Sequence, residues 1–244
     1  MDWTEEGYIL AVKPHGETSA IINILTKTRG RHAGLVRGGR SRRLRPVLQP
    51  GNKVTARWQA RLSEHLGSFN VEALDAQAAI FMEHRTSLAG LNSISALCMA
   101  ALPERESHEN LYTVFEILLD NLHDLDIWPA LYIRFELALL QALGYGLDLS
   151  KCAATGSIEN LTHISPRSGR AVSAGAAEPY LDKMIPLPGF LNGTNRLQPG
   201  DIVKGLDLTG YFLETRVFHA MNKETPPERN RLVDLLTAAQ ESSE

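Results

Sequence analysis

At 244 residues, 43% hydrophobic and 22% charged, the chain has room for one large domain or two ordinary ones, with apolar side chains enough for a substantial core. Two cysteines rule out a disulfide scaffold, and the acidic start Met1-Asp2-Trp3-Thr4-Glu5-Glu6 lacks the basic-then-apolar pattern of a signal peptide. The net charge of −3 hides a division, because residues 1–80 hold twelve Lys and Arg against seven Asp and Glu (+5) and residues 81–244 hold thirteen against twenty-one (−8).

In chain order, the first eighty residues read as short strands separated by turns. Tyr8 to Val12 and Ala20 to Leu25 are apolar and β-rich, Thr28-Arg29-Gly30 supplies a turn, and His32 to Val36 resumes. Lys53 to Leu62 alternates, with Val54, Ala56, Trp58, Ala60 and Leu62 on one face and Thr55, Arg57, Gln59 and Arg61 on the other. Gly67-Ser68 leads into a last run through Phe69 and Val71. About five strands in so short a stretch suggest an OB-fold, a small five-stranded barrel that is marginal alone and expected to pack on the helical part of the chain.

From about residue 84 the apolar period becomes helical. Leu88, Leu91, Ile94, Leu97, Cys98, Ala101 and Leu102 form one stripe, and Leu111, Val114, Phe115, Leu118, Leu119 and Leu122 another, with Ser107 the expected N-cap. Pro129 suits a helix start, and Phe135, Leu139, Leu140 and Leu143 carry that helix to Gly144. Residues 150–200 are rich in Gly, Ala, Ser and Pro, with a hairpin turn at Ser165-Pro166-Arg167-Ser168-Gly169, and helices return at Thr209–Met221 and from Pro226. The expectation is an α+β chain: a barrel over 1–80, then a helical domain over 81–244 with an irregular insert. The most apolar stretch, 131–147, is broken by Arg134, Glu136 and Gln141, whereas a membrane helix needs about 20 largely uncharged residues, so a cytoplasmic protein is expected.

Arg29, Arg31, Arg37, Arg40, Arg42, Arg43 and Arg45 place seven arginines in seventeen residues without an acidic one among them. Gly38 and Gly39 suggest that 37–45 is a mobile loop. The planar, permanently charged guanidinium suits phosphate oxygens, and a basic loop on the rim of a small barrel suits a single nucleic-acid strand. The other reading is a solvated loop paired with acidic residues elsewhere. Arg57 and Arg61 would extend the basic surface, while alternation assigns Trp58 to the core. Trp3, Tyr8 and Phe69 are further candidates for stacking on bases. Sequence patterns for catalysis are lacking: there is no G-x-x-x-x-G-K-[ST], H-E-x-x-H or G-x-S-x-G. Cys98 falls on an apolar stripe, and Cys152 with His163 is a poor catalytic pair. A binding protein is expected, not an enzyme, with no catalytic residue and no cofactor.

The chain resembles the RecO family of bacterial DNA-repair and recombination-mediator proteins. The resemblance rests on Gly7-Tyr8-Ile9-Leu10, Gly16-Glu17-Thr18-Ser19, Thr26, Gly30, Arg37-Gly38 with its arginine-rich sequel, and Leu48-Gln49-Pro50-Gly51. Further along it rests on Arg134-Phe135-Glu136-Leu137, Leu139-Leu140, Leu143-Gly144-Tyr145-Gly146-Leu147, Leu149, Cys152, Ser165-Pro166 and Gly169-Arg170-Ala171-Val172. It implies an N-terminal OB-fold and a helical C-terminal domain. It also implies binding of single- and double-stranded DNA, annealing of complementary strands and, with RecR, loading of RecA onto strands coated by single-strand-binding protein (SSB). Family members recognise the acidic, apolar-ended tail of SSB. Arg134 and Phe135 are the candidate binding residues for that tail, with Arg134 its cation, the alternative being an arginine that lays its stem over the core. Many relatives hold zinc on two C-x-x-C pairs. Here the first reads Cys152-Ala153-Ala154-Thr155 and no second exists, so no metal is expected. The alternative function is that of an RNA-binding or translation-associated OB-fold protein, because a barrel alone does not separate DNA from RNA.

Overall fold

The structure, a computed structural model, describes residues 1–62, 64–193 and 196–241. It divides into two compact units, one made of residues 1–128 with 226–229 and the other of 129–225 with the chain from 230 onward.

Five strands build the first unit: β1 (Asp2–His15), β2 (Ser19–Thr26), β3 (Gly30–Val36), β4 (Lys53–Gln59) and β5 (Ser68–Asp75). They close in the order β1-β2-β3-β5-β4, with β4 returning to β1 and β3 meeting β5 in parallel through Leu35 and Ser68. Closure leaves no free sheet edge, and the order is that of the OB barrel expected from the strand count. Inward side chains fill it: Ile9, Ile22, Ile24, Val36, Val54, Ala56, Trp58, Phe69 and Val71 form one core cluster.

β4 alternates as its sequence requires, with Val54, Ala56 and Trp58 buried, but it stops at Gln59. Leu62, expected on the inner face, is exposed, because after Gln59 the chain turns back to Gly67. There the Trp58 indole N–H donates to the Leu66 carbonyl at 3.0 Å. Gly67 has φ +65°, and a side chain there would begin 2.4 Å from Trp58 Nε1, so this return is open only to glycine.

Three helices complete the unit: α1 (Ala78–Phe81), α2 (Arg85–Ala101) and α3 (Glu109–Asp120). Ser107, the expected cap of α3, does not cap it. His108 holds that position without a side-chain bond, and the Ser107 hydroxyl donates instead to the Lys27 carbonyl on the β2–β3 turn (2.8 Å). Tyr8 of β1 packs on Phe115 and Tyr112 of α3, with ring centroids at 5.4 and 6.0 Å, and its hydroxyl donates to Glu116. Burial and the Glu116 carboxylate push the Tyr8 phenol pKa up. Lys53 Nζ lies 2.9 Å from the same carboxylate. Tyr8 is thus a docking residue for α3 and offers no face to a base.

The second unit begins at the second residue of α4 (Trp128–Ala142), which has Pro129 in its first turn. The insert folds as the hairpin β6 (Leu161–Ile164) and β7 (Ala171–Ser173), a single helical turn α5 (Ala174–Ala177), and a short strand β8 (Ile185–Pro186) on the other side of β6. The turn falls at 165–170 as expected, with Gly169 at φ +68° and its N–H bonded to the Ser165 carbonyl. Arg216 ties the turn down by donating to the Pro166 and Arg167 carbonyls. α6 (Asp201–Phe212) starts eight residues before the expected Thr209 and runs on as a π-helical turn to Phe218, and α7 (Pro227–Glu241) comes last. No helix among the described residues is long and apolar enough to cross a membrane.

Candidate nucleic-acid interface

The arginine-rich segment is the connection between β3 and β4, and it is ordered by its own bonds instead of being the mobile loop expected from its glycines. The Arg45 N–H bonds the Ser41 carbonyl and the Leu48 N–H bonds the Leu44 carbonyl, a helix-like spacing that turns Leu44, Val47 and Leu48 inward onto the barrel core. Asn52 locks its end. That side chain, 2% exposed, donates to the Pro46 and Val47 carbonyls at 2.9 and 3.0 Å and accepts from the Ala78 N–H of α1 at 3.0 Å. Arg40 fastens the segment to the β1–β2 loop: its guanidinium donates to the Gly16 carbonyl and its backbone N–H to the Thr18 carbonyl, both at 2.9 Å. The β1–β2 loop is one of the two loops with which OB-folds contact oligonucleotides.

With its apolar residues anchored, the segment turns its charge outward. Arg37, Arg40, Arg42, Arg43 and Arg45 are all exposed, and none has an acidic side chain within ion-pair distance among the described residues. Beside them Val12, Pro14, Ala20, Leu48 and Pro50 line a shallow cavity of about 500 Å³ whose rim carries Arg40 and Arg45. The site therefore combines five solvated guanidiniums with an apolar floor.

The other four arginines assigned to this surface are placed differently. Arg31 is mostly covered. Its Nε donates to the Leu102 carbonyl (3.0 Å) and its Nη1 reaches Asn23 and Glu104, so it joins the barrel to the chain before α3. Arg29 lies 3.4 Å from Glu5, and Arg57 lies 3.0 Å from Asp2. Arg61 is exposed beyond the end of β4. These four lie outside the β3–β4 connection.

In the second unit, Arg134 is exposed, and its guanidinium donates to the Phe190 carbonyl at 2.8 Å and lies 5.9 Å from the Phe190 ring centroid. Phe135 is fully buried and faces away from solvent, so it is a core residue and offers nothing to a peptide. This corrects its assignment to the tail-binding site, and the cause is its place on the inward stripe with Leu139.

Cys152 is buried, and its sulfur accepts from the Ser173 N–H and hydroxyl at 3.2 and 3.3 Å. Burial raises the thiol pKa, but the bonds from Ser173 and Thr155 outweigh it and bring the thiol down to about 6. No group of three or more His, Cys, Asp or Glu side chains able to hold a metal occurs among the described residues.

Two of the three aromatic residues named as stacking candidates, Trp3 and Phe69, come together in one cluster. Trp3 of β1, His32 of β3, Trp58 of β4 and Phe69 of β5 meet at the barrel end opposite the β1–β2 loop, with Trp3 stacked on Trp58 (5.9 Å, 20°) and set edgewise to His32 and Phe69. A cavity of about 480 Å³ opens there, with Arg29 and Arg105 on its wall.

Two family models match the chain, Recombination protein O N terminal over residues 1–76 and Recombination protein O C terminal over residues 82–225. The DNA repair protein RecO of Caulobacter vibrioides strain NA1000 is 47% identical over 240 residues, covering 98% of this chain and 99% of that one. RecO of Methylobacterium nodulans is 49% identical over 244 residues, with 98% and 99% covered. RecO of Rhodospirillum centenum is 47% identical over 245 residues, with 100% and 98% covered.

Proposed function

The chain belongs to the RecO family of DNA repair and recombination proteins, and on that premise we propose that it binds single- and double-stranded DNA, anneals complementary strands and, with RecR, helps load RecA onto SSB-coated single strands. The observation that carries this reading is the set of five exposed arginines, none in an ion pair among the described residues, on a hydrogen-bonded β3–β4 connection fastened to the β1–β2 loop. Annealing brings two phosphate backbones together against their repulsion. A surface that replaces the counterions of both strands lowers that barrier without hydrolysing anything. The reading accordingly makes this protein a binder and not an enzyme, acting in the cytoplasm where bacterial DNA lies, and its insert is held by the hairpin, Arg216 and Cys152 without a metal.

If about five arginines contact phosphates of a single strand, log K falls with log salt at a slope of about −3.5, and a fourfold rise in salt weakens binding roughly a hundredfold. Titrating a fluorescent single-stranded oligonucleotide at several salt concentrations measures that slope. Replacing Arg37, Arg42, Arg43 and Arg45 by alanine, which leaves the Arg40 anchor intact, should flatten it by about 2.8. An unchanged slope overturns the assignment. For the SSB tail, Arg134 is a positioned cation beside an aromatic ring, and Arg134→Ala should weaken a tail peptide several-fold in a fluorescence titration. Equal affinity removes it from the site.

A further inference from the structure

The cavity at the far end of the barrel has the chemistry of a nucleotide site, and nothing in the arginine surface accounts for it. Its walls are Trp3, Thr28, Arg29, His32, Trp58 and Arg105, with Met1 and Asp2 at its edge. Of the four aromatic rings that meet there, Trp58, Phe69 and His32 are buried and only Trp3 is half-buried, so one indole remains in reach of a ligand. Two guanidiniums flank it. Arg29 is exposed and 3.4 Å from Glu5, while Arg105 donates to the His65 carbonyl (2.8 Å) and lies 5.9 Å from the centroid of the Trp58 ring. The one acidic side chain in the wall, Asp2, is engaged by Arg57 at 3.0 Å.

His32 supplies the independent observation. It is 4% exposed, it lines the cavity, and neither ring nitrogen has a hydrogen-bond partner. A buried polar group left unsatisfied is costly and calls for an explanation, and a hydrogen-bonding ligand entering the cavity is one. A neutral imidazole offers one donor and one acceptor, which is what the edge of a nucleobase can pair with.

We propose that this cavity takes a single unstacked nucleotide of a bound DNA strand, with its base on Trp3 and toward the His32 edge and its phosphate on Arg29 and Arg105. The proposal rests on the DNA-binding reading and deepens it by adding a second point of contact at the other end of the barrel. Trp3 and Pro14 lie near opposite ends of β1, at most about 36 Å apart along an extended strand. A strand of the size that one OB-fold engages, roughly 4–16 nucleotides, is of the right scale to touch both. The two contacts differ in kind: the arginine segment reads charge, and the cavity admits only a base that has left its stack.

Photo-cross-linking and paired variants test this on the full chain. An oligonucleotide carrying 5-iodouracil should cross-link to the peptide containing Trp3 or to that containing His32. Trp3→Leu should weaken a single-stranded oligonucleotide about tenfold, the typical loss of one stacked base, while Trp3→Phe keeps most of the affinity. The salt slope should stay unchanged in both, because stacking releases no counterion, and duplex affinity should stay unchanged because its bases are stacked already. Arg29→Gln at the rim, which removes no core packing, should weaken the single strand and lower the slope by about 0.7. If the wild type binds the strand but Trp3→Leu and Arg29→Gln bind it equally well, with cross-links confined to the β3–β4 connection, the cavity proposal fails and the DNA-binding reading stands. If the wild type binds no oligonucleotide, the DNA-binding reading fails as well. Deoxythymidine monophosphate forms a third arm, and its binding at oligonucleotide-like concentrations would overturn the strand assignment in favour of a free nucleotide.

Discussion

His32 and Asn52 show how much a single buried polar side chain decides here. Burial lowers the His32 pKa first, with the Arg105 and Arg29 charges adding to it and Glu5 opposing, to about 4 from an ordinary 6.5. The unfolded chain therefore binds a proton near pH 6.5 that the folded barrel refuses until about pH 4. His32 costs no stability by this route above pH 7, and the folded state loses ground as pH falls between those values, by about 1.4 kcal/mol per pH unit and on the order of 3 kcal/mol in all. His32→Phe should remove that component, so urea unfolding of the two proteins at pH 7 and pH 4.5 should show the wild type losing more stability than the variant on acidification. Parallel pH dependences would refute it. Asn52 is the reverse case, a buried amide with its bonds made. Asn52→Ala orphans the Pro46 carbonyl and the Ala78 N–H, while the Val47 carbonyl keeps its bond from the Gln49 N–H, and should cost about 2–3 kcal/mol in denaturant unfolding. Because that amide holds the end of the arginine segment, its loss should also weaken binding of a single-stranded oligonucleotide.

At the scale of the element, strands and helices were legible where one face is buried and the period is regular, as in β4 and α3. Their ends were not. Leu62 continues the inner register of β4 and Ser107 is a good capping residue, yet the return through Gly67 exposes the first and the Lys27 carbonyl, eighty residues away, takes the second. Charge density alone located the arginine segment. Its order was hidden because Leu44, Val47 and Leu48 are scattered among arginines and Asn52 acts across the fold, and Arg31 was assigned to DNA because its partners at 102–104 lie seventy residues on. The Trp3–His32 cavity draws on β1, β3, β4 and residue 105, so no local pattern announces it. The β2–β3 turn makes the same point quantitatively. Gly30 and Gly16 have nearly equal φ, +63° and +58°, but a Cβ on Gly30 would lie 1.8 Å from the Glu106 carbonyl oxygen, whereas one on Gly16 meets nothing within 4 Å. Gly16→Ala should cost about 1 kcal/mol from backbone strain, and Gly30→Ala about 3 kcal/mol or more by forcing the turn off the chain before α3. In thermal melts that is a shift of roughly 3 °C against roughly 10 °C. Similar shifts for both would show that this contact carries no weight.

Across the whole molecule, the division of charge at residue 80 and the division of structure fall in different places. The family models break between residues 76 and 82, where strands give way to helices, but the compact unit that contains the barrel runs on to Trp128. The barrel's dependence on that helical stretch is written in Tyr8 against Phe115 and Tyr112, in Lys53 at Glu116, and in Arg31 at the Leu102 carbonyl. A fragment ending at residue 80 would expose Tyr8 and strip Arg31 and Lys53 of these partners. Each large apolar side chain returned to water costs about 1.5–3 kcal/mol, against a total stability of about 5–15 kcal/mol for an ordinary domain. A small barrel has little to spare. A fragment of residues 1–128 keeps all of these contacts. Limited proteolysis and thermal unfolding of the two fragments should therefore separate them, with 1–128 melting cooperatively and resisting protease while 1–80 is cleaved within the barrel. Equal resistance would mean that the barrel folds on its own and that α1–α3 merely lie against it. The +5 charge excess of residues 1–80 would then mark a complete binding module, instead of one face of a larger unit built on a helical support.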